Sequence, residues 1–137
     1  MRFLLDTNVV SETMRARPNR RLLQRLAQHE GQFGICAVTW QELACGVRKL
    51  PPGARRRALE ARLSDLRAVL PPVIPFTVDA ADWLATERAR LEAKGSVVAC
   101  EDGQIAAIAW LSNMTLVTAN TKHFSRFGGL RIVDWTK

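Results

Sequence analysis

The chain begins MRFLLDTNV (residues 1–9), and this stretch decides how the rest of the sequence is interpreted. A short apolar run, Phe3 to Leu5, ends at Asp6 and is followed by two small polar residues, Thr7 and Asn8. A short apolar run bounded by polar residues is typical of a buried strand. We therefore predict a first strand over residues 2–5 that carries a carboxylate and two hydrogen-bonding side chains at its tip.

Short apolar runs alternate with longer helical patterns along the rest of the chain. Further strands are predicted over residues 32–38, 115–118 and 130–133. Residues 70–76 contain several prolines, which restrict that segment to an edge piece of a sheet. Apolar residues at helical spacing predict helices over residues 19–28, 39–50, 55–70, 79–94 and 102–112.

Strands that alternate with helices imply βαβ units and a parallel sheet covered by helices on both faces. The predicted class is α/β, with a three-layer α/β/α arrangement and a central parallel sheet of four to five strands. A length of 137 residues suits one domain with one sizeable core, so the predicted domain covers residues 1–137.

The composition indicates a basic protein of a reducing compartment. Lys and Arg number 20 against 13 Asp and Glu, which gives a formal charge of +7 and favours a polyanionic partner such as nucleic acid. The three cysteines form no C-x-x-C pair, so a zinc knuckle and a disulfide scaffold are poorly supported. No leader or membrane-spanning stretch is visible, and we expect a cytoplasmic protein without a membrane partner.

Polar side chains recur where the predicted strands end or the following helices begin. They are Asp6, Glu42, Asp102 and Asn120, and the carboxyl ends of parallel strands would bring all of them to one edge of the sheet. Each has an ordinary explanation as well. Asp6 and Asp102 are suited to capping helices, Thr39 and Glu42 have the spacing of a capping box, and Asn120 suits a turn.

Taken together, however, the three carboxylates would repel one another unless a cation lay between them. Oxygen ligands without paired Cys or His favour Mg²⁺ or Mn²⁺ over zinc. Such ions activate water and stabilise the charge of a phosphoryl displacement. An acidic cluster on a basic body therefore predicts a metal-dependent nuclease.

Several short motifs recur in an order and spacing that match a known family. They are LDTN at residues 5–8, QEL at 41–43 with Gly46, DGQIAA at 102–107, LVTAN at 116–120 with His123 and Phe124, and Leu130 with Asp134 and Trp135. Along nearly its whole length the chain thus resembles the PIN-domain ribonucleases of the VapC toxin type.

The resemblance implies a role for each matching residue. The family's three acids fall on Asp6, Glu42 and Asp102, and its fourth polar position falls on Asn120, where many members have Asp. Asp6 and Asp102 are the implied ligands of the metal ion. Three further residues are assigned auxiliary roles beside them: Thr118, Asn8 and Glu101.

The resemblance also implies a substrate and partners. Members of the family hydrolyse structured RNA, often transfer RNA, and pair as homodimers. They are held inactive by a small VapB-like antitoxin, within a larger toxin–antitoxin assembly in some cases. In the family's pattern, the helices near the second strand and the 55–70 helix form the groove for that antitoxin.

Other charged residues carry weaker assignments. Arg88 lies on the apolar stripe of its helix and either orients a carboxylate at the acidic edge or extends its head into solvent. The basic residues that follow the first motif either line a path for RNA phosphates, form a solvated face or meet the antitoxin. They are Arg15, Arg17, Arg20 and Arg21. His29 and His123 have no ligand companion at helical spacing and are interpreted as surface or turn residues.

Two other functions stay open at this point. A phosphatase-like protein would be phosphorylated on Asp6, although that chemistry usually requires a second acid where Asn8 stands. A non-catalytic RNA-binding or receiver-like α/β module would use the same acids only to cap helices.

Overall fold

The computed structural model describes residues 1–69 and 73–137, and within these ranges the chain forms four strands and seven helices. None of the described helices combines the length and the apolar character needed to cross a membrane. The elements in chain order are β1 (Phe3–Leu5), α1 (Thr7–Thr13), α2 (Arg20–Gln28), β2 (Phe33–Gly34), α3 (Ala37–Arg48), α4 (Ala54–Val69), α5 (Val78–Ala93), α6 (Cys100–Leu111), β3 (Thr115–Val117), α7 (Thr121–Phe124) and β4 (Ile132–Val133).

The strands form one parallel sheet in the order β2–β1–β3–β4. β1 is central, with Leu4 paired to Gly34 on one side and to Leu116 on the other. The predicted edge piece is reduced to an isolated parallel bridge between Cys36 and Ile74, while residues 70–72 lie outside the described residues. The predicted parallel sheet is confirmed, and β1 is placed where both of its neighbours fix its register.

Alternation along β1 explains the layered arrangement. Leu4 is fully buried in a core with residues of α5, α6 and α7, such as Phe124. Phe3 and Leu5 point to the opposite face and pack in a second core with residues of α1 to α4, such as Leu43. Successive side chains of a strand face opposite sides, so three apolar residues tie two helical layers to one sheet. The predicted α/β/α arrangement is confirmed.

The predicted helices that correspond to α2, α4, α5 and α6 are confirmed, and their ends differ from the predicted ends by no more than two residues. The predicted strand over residues 32–38 was wrong in its second half. β2 ends at Gly34, and α3 already begins at Ala37 behind Cys36. Thr39 and Glu42 therefore lie inside the helix and form no capping box. A short apolar run such as residues 35–38 does not by itself distinguish a strand from the buried start of a helix.

The apolar periodicity of the sequence predicts neither α1 nor α7, although the capping interpretation of Asp6 implies a helix directly after it. α1 has the sequence TNVVSET, in which β-branched residues have low helix propensity. Its Val9 and Val10 are buried, and Asp6 accepts a hydrogen bond at its N-terminus, so packing and capping stabilise this helix. α7 has only four residues and follows β3 directly. Both helices lie at the carboxyl edge of the sheet, where they position the polar residues described next.

Candidate active site

Asp6 is the most deeply buried carboxylate at the carboxyl edge, with only 3% of its surface exposed. It follows β1 and caps α1: its Oδ1 accepts a hydrogen bond from the backbone N–H of Thr7 at 2.8 Å. Its Oδ2 accepts a hydrogen bond from the hydroxyl of Thr118 at 2.8 Å. The capping interpretation of Asp6 is confirmed, and a second donor from a distant segment also fixes the carboxylate.

The surroundings of Asp6 alter its acidity. Burial raises the pKa of Asp6 to about 6 from the ordinary 3.8, since removal from water disfavours the charged form. The hydrogen bonds from Thr118 and Thr7 oppose that increase, and the negative charges of Asp102 and Glu42 add to it. Asp102 and Glu42 therefore both lie within electrostatic range of Asp6. A cation among them would favour the ionised form of Asp6.

Thr118 links the ends of β1 and β3. Leu5 pairs with Val117, so the residues that follow them, Asp6 and Thr118, lie side by side at the sheet edge. Thr118 is fully buried, and its oxygen accepts hydrogen bonds from the backbone N–H of Asn120 at 3.0 Å and from the amide of Asn8 at 3.5 Å. The structure thus brings Thr118 and Asn8 to Asp6.

Glu42 reaches the same edge from α3. Its Oε1 accepts a hydrogen bond from the hydroxyl of Thr7 at 2.7 Å, and Thr7 directly follows Asp6. The Thr7 hydroxyl also lies 3.3 Å from the hydroxyl of Thr39, which is fully buried. Glu42 is therefore oriented toward the Asp6 segment by a side chain of α1.

Asp102 lies in the first turn of α6 and is half-buried. Ala99 is the N-cap of this helix, so the interpretation of Asp102 as an N-cap was wrong. The carboxylate oxygen Oδ2 lies instead 3.1 Å from Nε2 of His123 on α7. Sequence reasoning treated His123 as isolated and missed this contact. The available signal was its place three residues after Asn120, at the same edge of the sheet.

The remaining predicted site residues are exposed at the surface. Asn120 precedes α7 and is exposed, and its side chain makes no capping hydrogen bond. Glu101 is exposed in the first turn of α6. Arg88 is exposed on α5 and forms an ion pair with Glu92 at 3.1 Å. Its placement on an apolar stripe reaching the acidic edge was wrong, whereas the alternative, a head that extends into solvent, agrees with the structure. Ala85 and Ala89 beside it are also exposed, which shows that this face of α5 points to solvent.

The four arginines of the basic segment are all exposed, and Arg15 pairs with Glu12 at 3.3 Å. They are Arg15, Arg17, Arg20 and Arg21, and they lie at the end of α1, in the following loop and at the start of α2. Exposure leaves their guanidinium groups available to anions.

Two of the acids at the carboxyl edge are candidate ligands of a metal ion. Within residues 1–69 and 73–137, no three His, Cys, Asp or Glu side chains are grouped so that they would hold one ion. Mg²⁺ is usually held by one or two carboxylates together with waters and substrate phosphates. Asp6 and Asp102 fit that mode, because the buried Asp6 lies in the field of a second carboxylate.

A groove with a volume of about 660 Å³ lies between α1, α3 and α4. Glu42 lines it, so the groove and the acidic edge are adjacent. Apolar residues alternate with arginines around its wall. They include Met14, Leu43 and Leu59 together with Arg15, Arg55 and Arg62.

Comparison with known proteins agrees with this geometry. The family model described as "PIN domain" matches residues 3–130. The VapC ribonuclease Y4jK of Sinorhizobium fredii is 35% identical over 134 residues, which are 96% of this chain and 95% of the relative. The tRNA(fMet)-specific endonuclease VapC of Shigella flexneri is 32% identical over 137 residues and 99% of both chains.

Solved structures have the same fold. FitAcB from Neisseria gonorrhoeae matches with a TM-score of 0.89 and 30% identity, over 97% of this chain and 97% of that chain. DNA-bound VapBC from Salmonella typhimurium matches with a TM-score of 0.87 and 29% identity, over 98% of both chains.

Proposed function

Since this chain belongs to the PIN domain family, we propose that it is an endoribonuclease toxin that hydrolyses RNA with Mg²⁺ or Mn²⁺ and is inhibited by a VapB-like antitoxin. Its relatives include proteins named VapC ribonuclease and tRNA(fMet)-specific endonuclease. The substrate class proposed for this chain is structured RNA, with transfer RNA as the first candidate.

One observation supports the proposal above all. Asp6 is a buried carboxylate whose pKa is raised to about 6, and the charges of Asp102 and Glu42 contribute to that increase. A buried carboxylate within electrostatic range of two other acids costs free energy unless a ligand compensates the repulsion. A divalent cation is the ligand that suits oxygen donors without thiolates.

Asp6 and Asp102 would hold the metal ion, which when bound supplies activation of water and neutralises charge that develops at the phosphodiester. Glu42 would orient the attacking water from the side of α3, because the Thr7 hydroxyl holds its Oε1 at 2.7 Å beside the segment that carries Asp6. Thr118 holds Asp6 in position through its 2.8 Å hydrogen bond. Asn120 would contribute an uncharged polar group at the rim, which lowers the negative charge that RNA meets there.

The exposed arginines beside the site would guide the polyanionic substrate. Arg15, Arg17, Arg20 and Arg21 follow directly from the helix that Asp6 caps. Each phosphate contact releases counterions, so RNA affinity should fall with increasing salt. Substituting Arg20 and Arg21 by Ala should reduce both the affinity and the slope of log affinity against log salt. Arg88→Ala removes an arginine that pairs with Glu92 and serves as the control.

The groove between α1, α3 and α4 suits an antitoxin segment. It combines an apolar wall with arginines and ends near Glu42. An amphipathic segment with acidic residues complements such a surface in both respects. A bound segment that covers Glu42 would obstruct the site. The toxin itself is proposed to pair as a homodimer.

The decisive experiment measures cleavage of transfer RNA by the purified chain with Mn²⁺, with Mg²⁺ and with a chelator. Cleavage should require the metal, and Asp6→Asn should reduce the rate by about 10²-fold or more while RNA binding persists. Asp79→Asn removes an exposed acid of α5 and should leave cleavage unchanged. RNA binding without metal-dependent cleavage would favour a non-catalytic RNA-binding or receiver-like module, and phosphate transfer to Asp6 would favour the phosphatase-like alternative.

A further inference from the structure

His123 is enclosed by polar partners from two directions. Its Nε2 lies 3.1 Å from Oδ2 of Asp102, and about a quarter of the side chain is exposed. Arg126 Nη2 lies 3.0 Å from Nδ1 and 3.2 Å from Nε2 of the same ring. Nearly equal distances to both ring nitrogens place Nη2 of Arg126 over the face of the imidazole.

The arginine that covers the ring is itself fixed. Its Nε donates a hydrogen bond to the carbonyl oxygen of His123 at 2.9 Å, and its Nη1 donates to the carbonyl oxygen of Val97 at 2.9 Å. Arg90 on α5 donates to the carbonyl oxygen of Arg126 at 2.9 Å. Arg126 therefore connects the residue that carries the imidazole to the segment that precedes α6, and its guanidinium covers the ring. The imidazole is not a freely rotating surface side chain.

Nε2 of His123 lies within hydrogen-bonding distance of Oδ2 of Asp102. An ionised carboxylate only accepts hydrogen bonds, so in a bond between the two side chains the proton lies on Nε2 of His123. Such a bond fixes the rotation of the carboxylate and leaves its other oxygen, Oδ1, available to a further ligand. Hydrogen bonds of this kind orient carboxylates that bind metal ions.

The other two acids of the site are held in the same way. Asp6 accepts from Thr118 of the segment after β3, and Glu42 accepts from Thr7 of α1. Each carboxylate thus has one oxygen held by a side chain that comes from another element. The contact of His123 with Asp102 is the third instance of this pairing at a site acid. A contact that only attached α7 to α6 could be made with any residue of α6.

We propose that His123 is a positioning residue for Asp102: its Nε2–H donates to Oδ2 and directs Oδ1 toward a divalent cation shared with Asp6. This inference rests on the proposed function, because it requires the metal site. It assigns a role to a residue of the motif pattern that has no role so far and lies outside the acidic cluster.

The test is the affinity of the purified chain for Mn²⁺, measured by calorimetric titration without RNA. His123→Leu fills much of the ring volume but removes the donor, and should weaken Mn²⁺ binding by about 10- to 100-fold. His123→Gln carries an amide nitrogen that reaches the position of Nε2, and should restore most of the affinity. Ser125→Ala removes a 2.9 Å hydrogen bond to the carbonyl oxygen of Lys122 at the end of α7 and should leave the affinity unchanged.

Two results separate this inference from the proposed function. Failure of the unaltered chain to bind Mn²⁺ would overturn this inference, and it would overturn the proposed function as well if cleavage of transfer RNA shows no metal requirement. Normal Mn²⁺ binding by His123→Leu would overturn the inference alone. Equal losses in His123→Leu and His123→Gln, with matching losses in thermal stability, would also contradict it, because a packing role would not distinguish a donor from an apolar side chain.

A second measurement tests whether His123 acts through Asp102. In an Asp102→Asn background, His123→Leu should cause no further loss of Mn²⁺ affinity, because the oriented carboxylate is already absent. Additive losses would contradict the proposal, since residues that act through one contact are not additive.

Discussion

At Asp6, one side chain meets two requirements that oppose each other. It caps α1 and accepts from Thr118, which stabilises the fold, yet it is buried close to two other acids. The hydrogen bonds that Asp6 accepts favour its charged form, whereas burial and the neighbouring acids disfavour it. Because burial is the larger effect, the charged form of Asp6 is costly until a cation is bound.

The raised pKa of Asp6 makes stability depend on pH in a definite direction. The pKa is about 6 in the folded chain and 3.8 ordinarily, so the folded state holds the proton more strongly. This contribution to stability is fully present below about pH 4 and is lost as the pH rises through about 6, in total about 3 kcal/mol. Urea unfolding without divalent ions should show that loss between pH 4 and 7, and Mn²⁺ should reverse it.

The control for this pH dependence is Asp6→Asn, which has no proton to lose. Its free energy of unfolding should exceed that of the unaltered chain near pH 7 and should lack this component of the pH profile. Parallel profiles of the two proteins would show that Asp6 titrates normally.

Thr118 provides a second test at a single residue. Thr118→Val preserves the shape of a fully buried side chain but removes the donor to Asp6. We expect Mn²⁺ affinity and RNA cleavage to fall by about 10- to 100-fold, because the carboxylate loses the group that orients it. Thr115→Val makes the same substitution at the start of β3 and should change neither. Equal effects of the two variants would assign the loss to general strand packing.

Among the elements, the helical pair α5 and α6 positions Asp102. Gly103 directly follows Asp102, and a Cβ atom there would lie 2.9 Å from Leu84 Cδ1 and 3.1 Å from Val98 Cγ1. The absence of a side chain allows the first turn of α6 to pack closely against α5. The position of Asp102 therefore depends on Gly103, which has no side chain.

Two glycines inside helices should respond oppositely to alanine. Gly103→Ala should lower the free energy of unfolding by about 1 kcal/mol, since overpacking costs about 1–3 kcal/mol and helix propensity recovers only part of it. Gly46 lies within α3 with nothing within 4 Å of a Cβ atom, so Gly46→Ala should raise stability by about 1 kcal/mol. Stabilisation by both substitutions in urea unfolding would show that α6 can shift away from Leu84.

For the whole molecule, the groove and the acidic edge are separate surfaces that share Glu42. A partner bound in the groove would therefore control the site without resembling RNA. Ala58 is exposed on α4 and lines the groove, whereas Ala68 is exposed on the same helix outside it.

Ala58→Trp should fill part of the groove. We expect the affinity for a VapB-like antitoxin that inhibits the unaltered chain to fall by about tenfold or more, while RNA cleavage in its absence is unchanged. Ala68→Trp adds the same ring elsewhere on α4 and should bind the antitoxin normally. An antitoxin that inhibits the Ala58→Trp and unaltered chains equally would have to bind another surface.

The sequence by itself determined the alternation of strands and helices, the parallel sheet and the gathering of Asp6, Glu42 and Asp102 at one edge. These features follow from local periodicity and from the rule that parallel strands end at the same edge. Local pattern did not determine where α3 begins, since an apolar run such as residues 35–38 is compatible with a strand or a helix.

Only the tertiary structure decided how each acid is held. Thr118 is 112 residues from Asp6, and Thr7 is 35 residues from Glu42. His123 looked isolated in sequence because its partner, Asp102, lies on a different helix across β3. A side chain's distant hydrogen-bond partner is set by the packing of helices on the sheet, and no spacing within one segment encodes it.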